Sequence, residues 1–511
     1  MRSSSTTSCC RARATCAATD GSPERAPRVQ APCTIADHWD PVPDLRAAAA
    51  LGRALRALPY DEESVERLLG EDGPAAGLSD VAVYDRRLPD TPLGNATRLL
   101  LLQVAIDHDQ AIAAFGHDGL DALLTTHLAR AEGDRIAACG RIVPAEGLLM
   151  SFDGFPVGDD DPHGYVASYT PTASWLAALT PRRRFGRALD IGTGSGAQAL
   201  LASRHTDQVI ATDLNPRAVA FTALNAALNG IDNVEVRLGS LFEPVAGESF
   251  DLITCNAPYV VSPEDRWQYR DAAGFEADQL SQTVVTHAPE HLNDDGFACM
   301  LVSWVAESED DADAHVQAWL DAVPCDAWVI SLSAVDPLDH AAGWNEHLSD
   351  DAEDYGLALD RWTAYFDELG VGWISEGAVL VHKRPGHRHV IRTDWADEDE
   401  LEYGSDQIER VFKALQLIAG IDDPLDLIGE RLALPDETRI ELALGEEGAR
   451  VVLEEGTWPE LEVDDEVVEI LGELDGRATL AEAIERARVP RRRSTLDDIR
   501  ELLELGMLEL R

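Results

Sequence analysis

Apolar positions along the chain change period in a way that divides it. From Pro43 to about Arg130 they recur at helical spacing. LRAAAALGRALRAL (Leu45–Leu58) carries one apolar face, and Asp61 ahead of DEESVERLLG offers a carboxylate to the free N–H groups of a second helix. Asn95–Ile106 and Gly119–Arg130 predict further helices. Between Asp134 and Gly154 the period shortens, and DRIAACGRIVP and EGLLMSFDG predict two short strands. From Arg187 to about Arg384 short apolar runs alternate with helical segments. The predicted strands are Ala188–Ile191, Gln208–Thr212, Val234–Leu238, Phe250–Cys255, Ala298–Val302, Trp328–Leu332 and Ala378–Val381. This alternation predicts an α/β, Rossmann-like doubly wound sheet with parallel strands and right-handed crossovers.

After His389 the pattern changes again. A helix is predicted at Ser405–Ala419 and a hairpin from Thr438–Leu444 with Arg450–Glu454. From Asp464 the order is helix, a turn at LDGR, helix, an Arg-rich loop and a helix over Leu496–Leu505. Gly506 ends that helix, and Met507–Leu510 closes as a strand. This last pattern resembles a small winged-helix module. The expected division is a disordered tail (1–40), a helical N-terminal domain (41–133), a hairpin-like connector (134–164), a catalytic domain (165–385) and a winged-helix-like α+β domain (386–511).

Composition sharpens the picture mainly through charge. The 511 residues hold 93 Asp and Glu against 42 Lys and Arg, a formal net charge of −51. Such a surface repels phosphate backbones and anionic lipid faces, although one local basic patch would suffice for either. Only Lys383 and Lys413 are lysines, a bias that fits a GC-rich genome or adaptation to high salt. No run reaches the roughly 18 apolar residues of a membrane span. The first 33 residues are rich in Ser, Thr, Arg and Cys but lack the apolar core of a signal peptide. Four of the eight cysteines (Cys9, Cys10, Cys16, Cys33) lie there. Cys139, Cys255, Cys299 and Cys325 are scattered without CxxC spacing, which suits a reduced cytoplasm and argues against a disulfide framework or a zinc site.

The chemistry concentrates in RALDIGTGSG (Arg187–Gly196). An apolar strand ends at Asp190, and Gly192, Gly194 and Gly196 then let the backbone turn tightly and approach a ligand. The next strand ends at Asp213, 23 residues on, where a carboxylate can accept both hydroxyls of a ribose; the alternative is that Asp213 caps the helix opened by Asn215–Pro216. The spacing DxGxGxG differs from the dinucleotide pattern GxGxxG and resembles the S-adenosylmethionine (AdoMet) loop of class I methyltransferases. Gly239–Pro244 (GSLFEP) stands where that family places adenine, with Ser240 at a position often held by Asp. The resemblance implies AdoMet as cofactor, with Asp190, Gly192, Thr193, Gly194, Gly196, Asp213, Leu214, Ser240, Leu241 and Asn256 as its contacts and no metal.

FDLITCNAPY (Phe250–Tyr259) resembles the Asn-Pro-Pro-Tyr box of methyltransferases that modify a nitrogen on a planar group. The resemblance implies that the Asn256 amide oxygen and a backbone carbonyl on the Pro258 side accept hydrogen bonds from the NH2 group, while Tyr259 stacks on its plane. Ala257 departs from the box by replacing its first proline. NAPYVVSPED (Asn256–Asp265) is most similar to HemK-type glutamine methyltransferases, and the helical segment ahead resembles the bacterial release-factor enzymes. YRDAAGFEADQL (Tyr269–Leu280) departs from their substrate loop, and small-domain ribosomal guanine-N2 methyltransferases share the box. Three functions follow: transfer to a glutamine amide of a protein, favoured by the net charge; transfer to an exocyclic amine of rRNA or tRNA (guanine N2 or adenine N6); or AdoMet binding without catalysis. The expected partner is a macromolecular substrate, protein ahead of RNA, with no membrane. Trp267, Tyr269 and Trp304 are candidates for the substrate mouth, Trp304 being better suited to core packing. His382–His389 reads as a solvated linker, and Arg491–Arg493 as part of a protein adaptor.

Overall fold

The structure, a computed structural model, describes residues 39–70, 79–155, 163–256, 258–266, 269–272, 274–386, 389–396, 401, 404–442, 448–453, 456 and 460–511. The tail with its four cysteines, Ala257 and Trp267 lie outside them.

The centre is an eight-stranded sheet. Its strands are β1 (Phe185–Ile191), β2 (Thr206–Asp213), β3 (Val234–Leu238), β4 (Phe250–Cys255), β5 (Leu292–Ala306), β6 (Asp326–Val335), β7 (Trp373–His382) and β8 (Ile391–Trp395), in the spatial order β3-β2-β1-β4-β5-β7-β6-β8. All seven predicted strands are present. The expectation of a parallel sheet needs one correction: β7 runs antiparallel to both β5 and β6. β8, unforeseen, pairs in parallel with β6, so the sheet draws in residues beyond the boundary expected at 385.

Alternation along each strand sends residues to two different cores. Leu189, Ile253, Ala298 and Met300 face one, with Val284 and Val285 of α3 (Gln279–His287) and Val316 and Trp319 of α4 (Ala312–Leu320). Ala188, Leu252, Cys299 and Leu301 face the other, with Leu176, Ala199 of α1 (Ala197–Ala202), and Val411 and Phe412 of the helix Ser405–Ala419. Trp304, Trp328 and Trp362 are fully buried, which places Trp304 in the core.

The N-terminal region is built from helices Leu45–Ala57, Glu62–Leu69, Val81–Arg87, Pro92–Leu100 and His108–Thr125, with short strands following. Asp61 caps as expected, accepting from the Ser64 N–H at 2.8 Å. The segment expected to stay helical to Arg130 instead turns into a strand, Ala129–Glu132, paired with Arg135–Ala138. The remaining chain forms the hairpin Gly140–Ala145 with Leu148–Asp153. This region shares a core with Ala197 and Leu200 of α1 and Phe221 of α2 (Pro216–Asn229). Asn225 of α2 accepts the Ser151 N–H at 2.8 Å and donates to its carbonyl at 2.8 Å, and the Arg217 guanidinium binds the buried Asp153 carboxylate.

At the C-terminal end, Thr438–Glu441 and Ala449–Leu453 form the expected hairpin, extended by Glu460–Val463. Helices Asp465–Leu471, Leu480–Ala487 and Arg493–Glu504 follow. LDGR was expected as a turn, but Asp475–Thr479 is a strand paired with Arg431–Ala433, which in turn pairs with Glu509–Leu510. Gly476 does adopt a turn-like φ of +68°, so the local signal was present and long-range pairing overrode it.

Candidate active site

At the carboxyl ends of β1 to β4 lies a cavity of about 480 Å³. That edge of an open α/β sheet is where ligands are held. The chain leaving β1 passes through Gly192, Gly194 and Gly196 with φ of +66°, +58° and +92°, a left-handed conformation that side chains disfavour. The loop is fixed from several directions: the Thr193 N–H donates to the Thr212 carbonyl at 3.0 Å, Thr222 Oγ1 to the Gly194 carbonyl at 3.0 Å, and Asn225 Nδ2 to the Ser195 carbonyl at 2.7 Å. Gly196 itself does not line the cavity. It sits behind the loop, where an added Cβ would meet Thr222 at 3.0 Å.

Asp190 ties the loop to its neighbours. Its Oδ2 accepts from Thr193 Oγ1 at 2.6 Å and the Ala199 N–H at 3.1 Å, and its Oδ1 from Thr254 Oγ1 at 2.9 Å. Burial pushes this carboxyl up to about 6, against the pull of the Thr193 and Thr254 hydroxyls. The folded protein therefore holds this proton more tightly than an unfolded chain, whose ordinary value is 3.8. The stabilisation is fully present below the unfolded value and is lost as pH rises through the folded one, on the order of 3 kcal/mol. Asp190→Asn cannot ionise, so in urea unfolding of the ligand-free protein it should gain on the wild type between about pH 4 and about pH 7. A stability difference that stays flat over that range would contradict the assignment.

Asp213 closes β2. Its Oδ2 accepts the Gly194 N–H at 2.9 Å and its Oδ1 the Asn215 N–H at 2.8 Å. Asn215, not Asp213, caps α2, accepting the Arg217 N–H at 2.9 Å. The capping alternative for Asp213 is thereby answered, and its carboxylate, raised by burial, lines the cavity. Leu214 reaches the cavity at the exposed rim, and Ser240 and Leu241 line it beyond β3, Leu241 with a φ of +45°.

Asn256 leaves β4 half-buried, followed in the cavity wall by Pro258 and Tyr259. Among the described residues the Asn256 amide has no hydrogen-bond partner in the protein. A half-buried amide with no protein partner beside a cavity is open to water and available to a ligand. The Tyr259 carbonyl accepts from the buried Ser303 Oγ at 2.7 Å, which anchors this turn to β5. Eleven of the twelve expected site residues thus share one cavity, Gly196 being the exception.

Sequence reading missed two further walls, apart from Tyr269 in the second, which was expected at the substrate mouth. One precedes β1: Tyr165, Ser168, Thr170 and Thr172, held by Tyr165 Oη donating to the Gly154 carbonyl at 2.9 Å and Asn215 Nδ2 to the Gly164 carbonyl at 2.9 Å. The available signal was the Thr170-Pro171 helix start, with its side-chain cap and proline at the first turn. The other wall comprises Tyr269, Arg270, Asp271, Phe275 and Trp344. Tyr269 packs on Tyr165 with ring centroids 5.5 Å apart. Arg270 is buried and paired, its Nε on Asp271 Oδ1 at 2.8 Å and its Nη2 on Glu264 Oε2 at 3.2 Å. Among the described lining residues the charged groups are therefore Asp190, Asp213 and Asp271 against the single cation Arg270.

His382–His389, expected as a solvated linker, begins inside the fold, and His387 and Arg388 lie outside the described residues. His382 stacks on Phe297 at 4.0 Å, and Lys383 Nζ donates to the carbonyls of Pro289 and Leu292 at 2.8 and 2.7 Å. Cys139, Cys255, Cys299 and Cys325 are buried, and none of them forms a disulfide among the described residues. Among the described residues no helix is long and apolar enough to cross a membrane, and no cluster of three or more His, Cys, Asp or Glu could hold a metal.

A glycine cradle at the end of β1, a carboxylate at the end of β2 and an Asn-x-Pro-Tyr turn at the end of β4, on this strand order, define a class I methyltransferase. The model of the methyltransferase small domain matches residues 171–310. The ribosomal protein uL3 glutamine methyltransferase of Xanthomonas campestris is 30% identical over 258 residues, covering 46% of this chain and 77% of that protein. The release factor glutamine methyltransferase of Xylella fastidiosa is 33% identical over 129 residues, 23% of this chain and 47% of its own. The chain thus spans most of the first relative and about half of the second. A solved methyltransferase from Pyrococcus furiosus is similar over 46% of this chain and 89% of its own, at 16% identity and a TM-score of 0.28. The chain belongs to the HemK-type family of small-domain N-methyltransferases, enzymes that take their methyl group from AdoMet.

Proposed function

We propose that this protein methylates the side-chain amide nitrogen of glutamine in a protein substrate, of the kind named for its relatives: a ribosomal protein or a release factor. The observation that carries this reading is the unpaired Asn256 amide beside a cavity whose charge is net negative. With Asp271 set against Arg270, the carboxylates of Asp190 and Asp213 remain, which suits a cationic sulfonium cofactor and opposes a phosphodiester strand. The overall charge of −51 acts in the same direction.

The residues fit the cofactor. The left-handed glycines remove the side chains that would fill its cradle, and Asp213 offers acceptors for ribose hydroxyls. Gly192, Thr193 and Gly194 would carry the backbone contact, Asp190 and Gly196 would hold the loop's shape, and Leu214, Ser240 and Leu241 would flank the adenine. When bound, AdoMet supplies a methyl carbon whose bond to sulfur breaks, the electron pair passing to sulfur, as the acceptor nitrogen bonds to it.

An amide nitrogen is a poor nucleophile because its lone pair is delocalised into the carbonyl. The Asn256 amide oxygen and the carbonyl on the Pro258 side accept its two N–H bonds. That fixes the nitrogen and orients its lone pair, while Tyr259 supports the amide plane. After transfer the nitrogen sheds a proton to water. Positioning and electrostatics do the chemistry, and no general base is called for.

The flanking regions belong to the same reading. Residues 41–164 brace the cofactor side through α1 and α2. The three helices and three-stranded sheet near the C-terminus would serve as a winged-helix-like adaptor for the substrate protein, and a cytoplasmic site of action goes with a ribosomal protein or release factor as acceptor. The test is a lysate of the native host incubated with the enzyme and methyl-labelled AdoMet, then split between protease and ribonuclease. Protease should remove the label; loss to ribonuclease alone would overturn the protein substrate.

A further inference from the structure

Between β6 and β7 the chain makes a long excursion through α5 (Pro337–Trp344) and α6 (Ala352–Leu369). Because β7 is antiparallel to β6, neighbouring strands could be joined by a short hairpin, and no crossover helix is required. The excursion therefore serves something other than connectivity. It leaves the carboxyl end of β6, the edge of the sheet that holds the cavity.

What it covers is the segment that follows Asn256. Val260 and Val261 are buried against Ala341, Trp362 and Phe366. Polar ties repeat the contact: His340 Nε2 lies 3.0 Å from the Val261 carbonyl, Trp362 Nε1 donates to Glu264 Oε1 at 3.2 Å, and the Ala277 N–H donates to Tyr365 Oη at 3.1 Å. Arg361 also binds Glu264. Arg270, paired with Glu264 and Asp271, donates a third bond to the Trp344 carbonyl at 3.4 Å. Trp344 is thus held by its backbone, and its indole N–H is 3.4 Å from Glu376 Oε1 on β7. Its ring, half-buried, lines the cavity with Tyr259 and Phe275.

We propose that Trp344 is an acceptor-binding, specificity-determining residue, carried to the acceptor half of the cavity by the α5–α6 hairpin and packing there on the planar group that bears the reacting nitrogen. The inference rests on the proposed function for the nature of that group. A rigid aromatic face binds a planar amide with little loss of conformational entropy. Its location beyond β4, away from the glycine cradle and Asp213, separates it from the cofactor half.

The experiment uses the full chain with three probes: purified uL3, purified release factor and total RNA from the native host. Initial rates are measured against each at saturating AdoMet. Trp344→Ala should raise KM for the methylated acceptor about tenfold or more, with AdoMet affinity by calorimetry unchanged, and Trp344→Phe should restore most of the loss. An unchanged KM in Trp344→Ala, or a Phe variant as defective as the Ala variant, would overturn the assignment. If RNA is the probe that wild type methylates and its KM still rises, the acceptor wall stands and the protein substrate falls. If wild type methylates none of the three, both fall.

Discussion

Asn256→Ala should abolish methyl transfer while AdoMet binding persists. Loss of a preorganised acceptor aimed at the reacting group costs on the order of 10²–10³ in kcat. Here the same side chain both fixes the nitrogen and orients its lone pair, so the loss falls at the upper end. The variant should fold, because the amide has no partner among the described residues and the turn is anchored separately through Ser303 and the Tyr259 carbonyl. Single-turnover rates with labelled AdoMet, beside calorimetry, separate the two effects. Retained turnover would refute the proposed chemistry, and loss of AdoMet affinity in proportion to rate would make Asn256 a cofactor residue only.

Asp213→Ala should have the opposite signature. Hydrogen bonds to a charged acceptor contribute about 1.5–3 kcal/mol each, and a ribose would make two. The expected loss of AdoMet affinity is therefore on the order of 10²-fold or more. Burial raises this carboxyl, so its ionised form is costly in the free protein, and removing it should not lower the melting temperature much. Affinity lost without stability lost marks a ligand residue. Unchanged affinity in calorimetric titration would remove the cofactor site from the end of β2.

The two predictions divide the cavity between cofactor and acceptor, and the sequence foretold the cofactor half far better. Glycines with left-handed φ, a carboxylate ending each of two strands and an Asn-x-Pro-Tyr turn are local signals, because each feature sits within a few residues of a strand end. Most of the seven strands were legible for a related reason: buried strands need near-continuous apolar runs, whichever neighbour they pair with, while Val234–Leu238 at the sheet's edge showed itself by alternation. Direction was not legible. Nothing in the residues of Trp373–His382 distinguishes an antiparallel strand from a parallel one, since a central strand is buried on both faces whichever way it runs.

The acceptor half depends on contacts that are distant in the chain. Trp344 ends a helix, and its packing beside Val260 and Val261 and the Arg270 bond to its carbonyl, both far away in the chain, bring it to the cavity. The wall from Tyr165 to Thr172 has no regular period for most of its length. β8 escaped notice because Arg392, Thr393 and Asp394 stand in a row between Ile391 and Trp395 with no apolar run or alternation, and their partner is β6, far away in the chain. Charge was informative in a different way. The net −51 gave only a bias against nucleic acid, and the pairing of Arg270 with Asp271 extends that bias into the cavity.

The most direct test of the central claim is to locate the methyl group. Enzyme, AdoMet and the acceptor labelled in the lysate assay are incubated, the product is digested, and tandem mass spectrometry assigns the modified atom. The account predicts one methyl on the side-chain nitrogen of a glutamine, absent when Asn256→Ala replaces the wild type. A methyl on a lysine or arginine nitrogen, or on a nucleobase, would contradict it.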